Sequence, residues 1–277
     1  MQKTKIEWAD YTWNPVTGCL GHNGAPCPYC YARRIARHYG GILTETRSGR
    51  VGNLSGMMSE EDKIHDLKRA EVKLKDNKEV SSPYPYGFDP TFHRYRLDEP
   101  QRIKKPSTIF VCSMADLFGD FIPDSWIEQV FEACAQAPQH RYLFLTKNPK
   151  RYKPLMRQYK FSLPPEGNMY FGMSLAHDKD VELLNEYADC MDFVSIEPIQ
   201  ERICFDWWGK YDVKWVIIGA ETGNRKNKVI PKREWIQNIV GTCRENNISV
   251  FMKNNLQSVC EAELIQELPW GINEILL

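Results

Sequence analysis

The stretch Thr108-Ile-Phe-Val-Cys-Ser-Met-Ala-Asp116 shows the pattern that repeats along this chain: a short apolar run that ends in polar side chains. Five further apolar runs follow at residues 142–145, 169–173, 193–196, 215–218 and 249–252. Each is continuous rather than alternating, which is typical of parallel strands covered on both faces. The chain beyond residue 105 is therefore predicted to contain a parallel sheet.

Amphipathic segments lie between these runs. Residues 126–134 and 235–243 carry apolar side chains at helical spacing, and a turn containing proline precedes each segment. Alternating strands and helices predict right-handed crossovers. With residues 11–17 counted as the first strand, we predict an α/β fold: a complete or partial parallel (β/α) barrel of about six to seven units.

Residues 41–105 break this order. The segment is Gly/Ser-rich over 48–59, contains a charged stretch at 60–78 that predicts a helix, and ends in a turn-rich run at 81–87. We interpret it as an insertion after the first unit, within a single domain of residues 1–277. It is a candidate lid over a site. The alternative is a surface excursion that serves stability or a partner.

The composition is that of a soluble globular protein. Of 277 residues, 42% are hydrophobic, the formal net charge is zero, and no apolar run approaches the roughly 18 residues of a membrane span. Nine cysteines without a secretory signal indicate a reducing compartment. We therefore expect a cytoplasmic protein with no membrane association.

Polar residues follow every predicted strand. Because side chains at the carboxyl ends of parallel strands share one opening, we expect them to converge on a polar pocket. Singly, each residue could be an ordinary cap or turn residue. The candidates are Ser113, Asp116, Lys147, Ser174, Glu197, Glu221 and Lys253.

Three cysteines, Cys19, Cys27 and Cys30, lie in the loop after the first strand. Three thiols are one ligand short of a closed tetrahedral site, and three hypotheses remain open. The thiols could be free. With His22 they could bind zinc, as in a nucleic-acid-binding protein without radical chemistry. They could instead hold a [4Fe–4S] cluster with one open iron.

The cysteine loop resembles that of the radical S-adenosylmethionine superfamily. There, three cysteines follow the first barrel strand, the last two are separated by two residues, and an aromatic residue precedes the third, as Tyr29 does here. Seven residues separate the first two cysteines, Cys19 and Cys27, where that superfamily usually has three. A closer resemblance, to an uncharacterised phage and bacterial radical-SAM-like family named after phage gene products, covers nearly the whole chain. Its matching segments are 6–8, 12–19, 30–32, 113–118, 145–147, 195–198 and 219–223.

The resemblance implies an enzyme with two cofactors. Cys19, Cys27 and Cys30 would ligate a [4Fe–4S] cluster, and S-adenosylmethionine would bind beside it. Ser113 to Asp116 replace the usual Gly-Gly-Glu motif, so Asp116 would receive the cofactor's amino group, and Ser174 would meet its ribose. The remaining mouth residues, Glu197, Glu221, Lys147 and Lys253, would contact substrate or cofactor. An external electron donor of flavodoxin or ferredoxin type is implied.

Two basic stretches suggest a substrate class. Residues 141–160 contain seven Lys and Arg and no acid, and residues 225–233 contain five. Taken alone, each could be a solvated face. Aromatic residues lie among them, namely Tyr142, Phe144, Tyr152, Tyr159 and Trp235, and Arg33, Arg34 and Arg37 follow the cysteine loop. This mix predicts a nucleic acid or nucleotide substrate. A peptide or a small metabolite is the rival.

Overall fold

A computed structural model of the chain describes residues 1–22, 25–40, 63–75, 78–159, 167–204, 213–260 and 263–270. Eight strands of the described residues form the principal sheet: β1 (Gln2–Lys3), β2 (Tyr11–Trp13), β8 (Thr108–Val111), β9 (Arg141–Thr146), β10 (Met169–Leu175), β11 (Phe193–Ile196), β12 (Trp215–Ile218) and β13 (Ser249–Met252). Their order in the sheet is β1-β2-β8-β9-β10-β11-β12-β13. All neighbours from β2 to β13 are parallel, and only β1 pairs antiparallel.

Helices lie between parallel strands, as the alternating pattern predicts. In the residues that the structure describes, the helices between strands are α1 (Tyr31–Gly40), α2 (Asp124–Ala135), α3 (Tyr152–Tyr159), α4 (Val181–Tyr187) and α5 (Arg233–Glu245), and α6 (Gln257–Cys260) follows the last strand. Short 3-10 turns lie at Arg94–Arg96, Pro100–Arg102, Pro149–Arg151, Asp178–Asp180, Ala188–Cys190 and Asn254–Leu256. The predicted α/β class with a mostly parallel sheet is confirmed. Within the described ranges no ladder joins β13 to β1, so a closed barrel is not shown.

The insertion contains strands, not the helix predicted at 60–78. That prediction is wrong for the described residues 63–75 and 78, because backbone pairing over long range overrides local charge periodicity. Residues 41–62 and 76–77 lie outside the described ranges. The strands of the insertion are β4 (His65–Leu67), β5 (Val72–Lys75), β6 (Lys78–Ser81) and β7 (Thr91–His93). Strands β4 and β7 form one small sheet with β3 (Val16–Thr17), which precedes the insertion, and β5 and β6 form a hairpin.

The two faces of the large sheet pack differently, because successive side chains of a strand point to opposite faces. One face packs against the helices in the larger apolar core. The other face carries an aromatic cluster, which we call the floor cluster: Trp8, Phe110, Leu143, Phe193, Trp215, Ile217, Phe251 and Trp270. The Trp8 ring lies 4.8 Å from that of Phe110 on β8 and 6.0 Å from that of Trp215 on β12. Trp8 therefore bridges strands that are four positions apart in the sheet order.

No helix in the part of the chain that the structure describes is long and apolar enough to cross a membrane.

Candidate active site

A cavity of about 340 Å³ opens at the carboxyl edge of the parallel strands, and we call it the mouth cavity. All eleven residues predicted as site residues line it: Cys19, Cys27, Tyr29, Cys30, Ser113, Asp116, Lys147, Ser174, Glu197, Glu221 and Lys253. The structure thus brings these eleven residues together around one cavity. The chemical role of each residue stays a prediction.

The cysteine loop is fixed to its surroundings by backbone contacts. The amide of Gly18 donates to the carbonyl of Met114 at 2.9 Å, and the amide of Cys19 donates to the carbonyl of Phe88 at 2.9 Å. Gly18 has φ +86°, and a Cβ there would lie 2.2 Å from the carbonyl oxygen of Asp89, so only glycine fits. The loop is thus held between the end of β8 and the insertion, of which Phe88 also lines the cavity.

The three thiols are partly exposed on the cavity wall. Burial, reinforced by the nearby Asp116 carboxylate, raises the pKa of Cys19 to about 12. Burial also raises the pKa of Cys27, against the opposing effect of Lys147. These two thiols are therefore protonated at neutral pH, and a bound metal cation would displace their protons.

Three thiols on one cavity wall are a suitable donor set for an iron–sulfur cluster. In the described ranges, no three His, Cys, Asp or Glu side chains are already arranged around a single metal position. The donor atoms are therefore of the right chemical type for a metal centre. The cysteine loop would have to change its conformation to bring them around one metal position.

Asp116 joins the cysteine loop to two strand ends. Its carboxylate accepts hydrogen bonds from the Thr146 hydroxyl at 2.7 Å and from the amides of Lys147 at 3.0 Å and Phe118 at 3.1 Å. His22 Nε2 lies 3.0 Å from the second carboxylate oxygen. Burial alone would raise the pKa of Asp116, but the hydrogen bonds led by that of His22 hold it below its usual value.

The environment of Asp116 bears on both metal hypotheses. Four donors already occupy the carboxylate that was predicted to receive the amino group of a cofactor, so an additional ligand would have to share it. The contact through Nε2 leaves Nδ1 of His22 available. A carboxylate that orients a histidine in this way is common behind metal-binding imidazoles.

The two lysines of the mouth cavity are each paired with a predicted site residue. Lys147 Nζ donates to Ser174 Oγ at 2.5 Å, and it lies 5.9 Å from the centre of the Tyr29 ring. Lys253 Nζ lies 2.5 Å from Glu197 Oε1. Gly219 makes this second pair possible, because a Cβ there would lie 3.0 Å from the Lys253 side chain and 3.1 Å from that of Glu197.

Glu221 lies on the far side of the cavity and is almost fully buried. Its two carboxylate oxygens accept from Arg225 Nε and Nη2, both at 2.7 Å. This bidentate pair lowers the pKa of Glu221, against the opposing effect of burial, so the carboxylate is charged at neutral pH.

The sequence did not identify every residue that lines or shapes the cavity. Cys112 lines the cavity and has φ 57°, a strained value for a residue that is not glycine. Asn14 Oδ1 accepts from Ser113 Oγ at 3.2 Å and from the Met114 amide at 2.9 Å, which shapes the turn after β8. Ser195, near the end of β11 and two residues before Glu197, is one of the polar residues at a strand end and also lines the cavity.

The basic stretch at 141–160 does not form a free cationic surface. Lys150 and Lys153 lie 2.9 Å from Asp120 and Asp189, respectively, and Arg151 pairs with Asp124. Arg141, at the start of β9, lies at the opposite edge of the sheet, 4.4 Å from the centre of the Trp270 ring. Most of this positive charge is therefore neutralised or remote from the cavity.

The rings of this stretch are unsuited to base stacking as well. Tyr142, Phe144 and Tyr152 are at most 1% exposed, so their prediction as a stacking surface is wrong: they fill the core. The Tyr159 side chain and Lys160 lie outside what the structure describes. Trp235 is partly exposed, with the Lys232 ammonium 5.7 Å from its ring centre.

The fold and the mouth cavity define an α/β protein with a thiol-rich polar site at the carboxyl edge of its sheet. The chain belongs to the family described as "Protein of unknown function (DUF5131)", whose model matches residues 3–259. No curated protein and no solved structure matches it.

Proposed function

We propose that this protein is a radical S-adenosylmethionine enzyme that holds a [4Fe–4S] cluster through Cys19, Cys27 and Cys30. The observation that carries the proposal is that one cavity is lined by all three clustered thiols and by polar side chains from six consecutive strand ends. Such a cavity provides both halves of the required site, a metal-binding wall and a polar pocket for an organic cofactor and a substrate. The zero net charge and the ordinary composition neither add to this proposal nor oppose it.

The finer fold proposed is a partial barrel. Trp8 contacts rings on both β8 and β12, so the floor cluster draws distant strands together on one face of the sheet. That face also carries the mouth residues, as the alternation along β11 from Phe193 to Ser195 shows. A curved sheet with a filled interior and a polar mouth agrees with the (β/α) barrel architecture. The insertion would cover the mouth as a lid, through the part that contains Phe88.

When bound and reduced, the cluster would supply the electron that cleaves S-adenosylmethionine. An external donor of flavodoxin or ferredoxin type would deliver that electron, in a reducing compartment such as the cytoplasm. The nine cysteines are all free thiols, as such a compartment requires.

The chain's own residues would bind and orient the organic cofactor. The ammonium groups of Lys147 and Lys253 are suited to a carboxylate, and Glu197 to an ammonium group, since charge-assisted hydrogen bonds are the stronger ones in a partly desolvated site. Ser113 and Ser174 offer hydroxyls. Apolar side chains that line the cavity, among them Phe88, Phe110 and Leu145, would keep water away from a reactive intermediate.

Metal analysis of anaerobically purified protein tests the proposal. We expect a brown protein with about four irons per chain, and loss of most of the iron in Cys19→Ala, Cys27→Ala and Cys30→Ala. Cys204→Ala is the matched control, because Cys204 is exposed and outside the cavity, and it should keep its iron. Iron retained by all three cavity variants would overturn the proposal.

Zinc binding by a nucleic-acid-binding protein is the second candidate, and the Asp116–His22 pair is the observation that favours it. It predicts a colourless protein with about one zinc per chain, which is lost when His22 is replaced by alanine. An iron-containing protein whose iron content is unchanged in His22→Ala would exclude it.

Cofactor cleavage tests the reaction class separately from the metal. Cluster-replete protein reduced with dithionite is expected to convert S-adenosylmethionine slowly to 5′-deoxyadenosine, measured by liquid chromatography. Lys147→Ala should weaken cofactor binding, whereas Lys150→Ala, outside the cavity, should not. Absence of 5′-deoxyadenosine from protein that retains its iron would contradict the radical assignment and leave the iron–sulfur centre standing.

A further inference from the structure

Exposed apolar side chains are concentrated beside the mouth cavity. In the part of the chain that the structure describes, five large hydrophobic residues are exposed: Tyr31, Ile35, Tyr39, Leu183 and Ile230. The first three lie at i, i+4 and i+8 on α1, so they form one stripe along that helix. Ile230, which is 73% exposed, lies in the segment 222–233 after β12. Four of the five therefore belong to two segments.

The same two segments carry positive charge without any acid. Residues 31–40 and 222–233 contain eight Lys and Arg and no Asp or Glu. The two segments touch, since Arg34 Nη2 donates to the Thr222 carbonyl at 2.6 Å. We call residues 31–40 and 222–233 together the rim surface.

Much of this charge has no carboxylate partner. Arg225 and Lys232 are paired with Glu221 and Glu234, respectively. Among the described residues, no acidic side chain forms an ion pair with Arg33, Arg37, Lys226 or Lys228. In the stretch 141–160, by contrast, three cations are paired with acids. The rim surface therefore combines unpaired positive charge with exposed rings. The stretch 141–160 lacks this combination.

The rim surface continues into the mouth cavity. The side chain of Tyr31 belongs to the exposed stripe and also lines the cavity, and Thr222 lines it from the other segment. Arg225 holds Glu221 at the same border. A long ligand lying on the rim surface could thus place one of its units in the cavity without a change in the fold.

We propose that the rim surface binds single-stranded nucleic acid and presents one nucleotide to the mouth cavity. The proposal rests on the proposed function for what happens to that nucleotide, whereas the surface itself rests on charge and exposure. Phosphates fit the unpaired Lys and Arg, and bases fit the tyrosine rings. A single strand is favoured over a duplex, because a base must leave its stack to enter a cavity.

Fluorescence anisotropy with labelled 20-nucleotide oligo(dT) and oligo(rU) tests the proposal over a salt series. We expect binding at low salt that weakens steeply as salt rises. Replacing Arg37, Lys226 and Lys228 together by glutamine should lower the affinity at least about tenfold and reduce the salt slope by about two, or roughly 0.7 for each lost phosphate contact. The oligomer that binds more tightly shows whether the surface prefers DNA or RNA.

The control variant removes the same number of positive charges from outside the rim surface. Replacing Lys150, Lys153 and Arg157 together by glutamine should change the affinity less than about twofold. For the rings, Tyr39→Leu should weaken binding about fivefold or more, and Tyr39→Phe should not, because only leucine removes the stacking face. Circular dichroism confirms that each variant is folded.

Four outcomes would overturn the proposal: no binding by the wild-type protein at low salt, equal losses in the rim and control variants, equal affinity for a duplex of the same length, or stronger binding of polyglutamate, which would indicate an acidic protein partner. Anisotropy does not depend on iron, and the rim variants should keep the iron content of the wild type. Failure of the nucleic-acid proposal and failure of the iron–sulfur proposal are therefore separate results.

Discussion

The floor cluster and the mouth cavity lie on the same face of the same strands, and Trp8 and Phe110 border both, but only the mouth cavity carries charged side chains. On β11, Phe193 belongs to the floor cluster, and Ser195, two residues later, lines the mouth cavity. Likewise, Phe251 on β13 belongs to the floor cluster, and Lys253, two residues later, lines the mouth cavity. The floor consists of close-packed rings. The mouth gathers charges whose burial is unfavourable unless each is paired. The comparison suggests that one end of each strand stabilises the fold while the other end serves chemistry.

The largest expected effect is on the floor. Trp215 is fully buried, contacts the rings of Trp8, Phe193, Phe251 and Trp270, and donates from Nε1 to the Glu267 carbonyl at 2.9 Å. Trp215→Ala should lower the free energy of unfolding by about 3–5 kcal/mol, because it leaves a large cavity. Urea denaturation measures this. Trp235→Ala removes a partly exposed ring and should lower the free energy of unfolding much less. Equal losses in the two variants would show that the floor cluster contributes no more to stability than an exposed ring does.

A smaller loss is expected at the buried acid of the mouth. Asp116→Asn keeps the size of the side chain but cannot accept all four hydrogen bonds, so it should lower the free energy of unfolding by about 1–3 kcal/mol. Asp120→Asn is the matched control, since the Asp120 side chain is 67% exposed. Urea denaturation of both variants measures the difference. If both are equally stable, Asp116 does not hold the cysteine loop as the structure indicates.

Glu221 adds a dependence on pH. Its pKa is lowered in the folded protein by the hydrogen bonds from Arg225, so its contribution to stability is fully present above its unfolded pKa of about 4.5. That contribution is lost as pH falls through the lower folded pKa. Glu221→Gln should therefore cost roughly 1 kcal/mol at pH 7 and progressively less below pH 4.5. Thermal denaturation of both proteins from pH 3 to pH 7 measures this. A constant difference would show that the charge of Glu221 is irrelevant.

The smallest effect is expected outside both regions. Lys150 and Asp120 form an exposed pair, and such pairs typically contribute under about 1 kcal/mol. Lys150→Ala should therefore change neither the unfolding midpoint nor the metal content measurably. A loss as large as that of Asp116→Asn would mean that the stretch 141–160 is coupled to the mouth.

The strands and the convergence of their ends were predictable because both follow from local sequence. A continuous apolar run identifies a buried strand, and the parallel arrangement brings Ser113, Glu197 and Lys253 to one edge without knowledge of any contact. Seven of the eleven mouth residues were found in this way, whereas the three cysteines were found by their clustering and Tyr29 by the family resemblance. Their separate pairings, such as Lys147 with Ser174, depend on side-chain geometry that no spacing encodes.

The failures share one physical cause, which is pairing over long range. The stretch 60–78 predicts a helix by its charges, yet His65–Leu67 becomes a strand by pairing with residues 91–93. The stretch 141–160 reads as a cationic surface, but Lys150 meets Asp120 and Lys153 meets Asp189, each at least 30 residues away. Local patterns indicate what a segment prefers, and distant partners decide whether that preference is realised.

The contact between His22 and Asp116 also fixes an order of events during synthesis. The ribosome completes the cysteine loop at Cys30, 86 residues before the Asp116 carboxylate that anchors it, an interval of about 4–17 s at ordinary translation rates. Until then the loop that carries Cys19, Cys27 and Cys30 lacks its contact with the segment after β8. Positioning of the loop must therefore wait until Asp116 has been synthesised. Thiol alkylation of ribosome-stalled chains that end before or after Asp116 and Thr146 should detect the change as a drop in thiol reactivity.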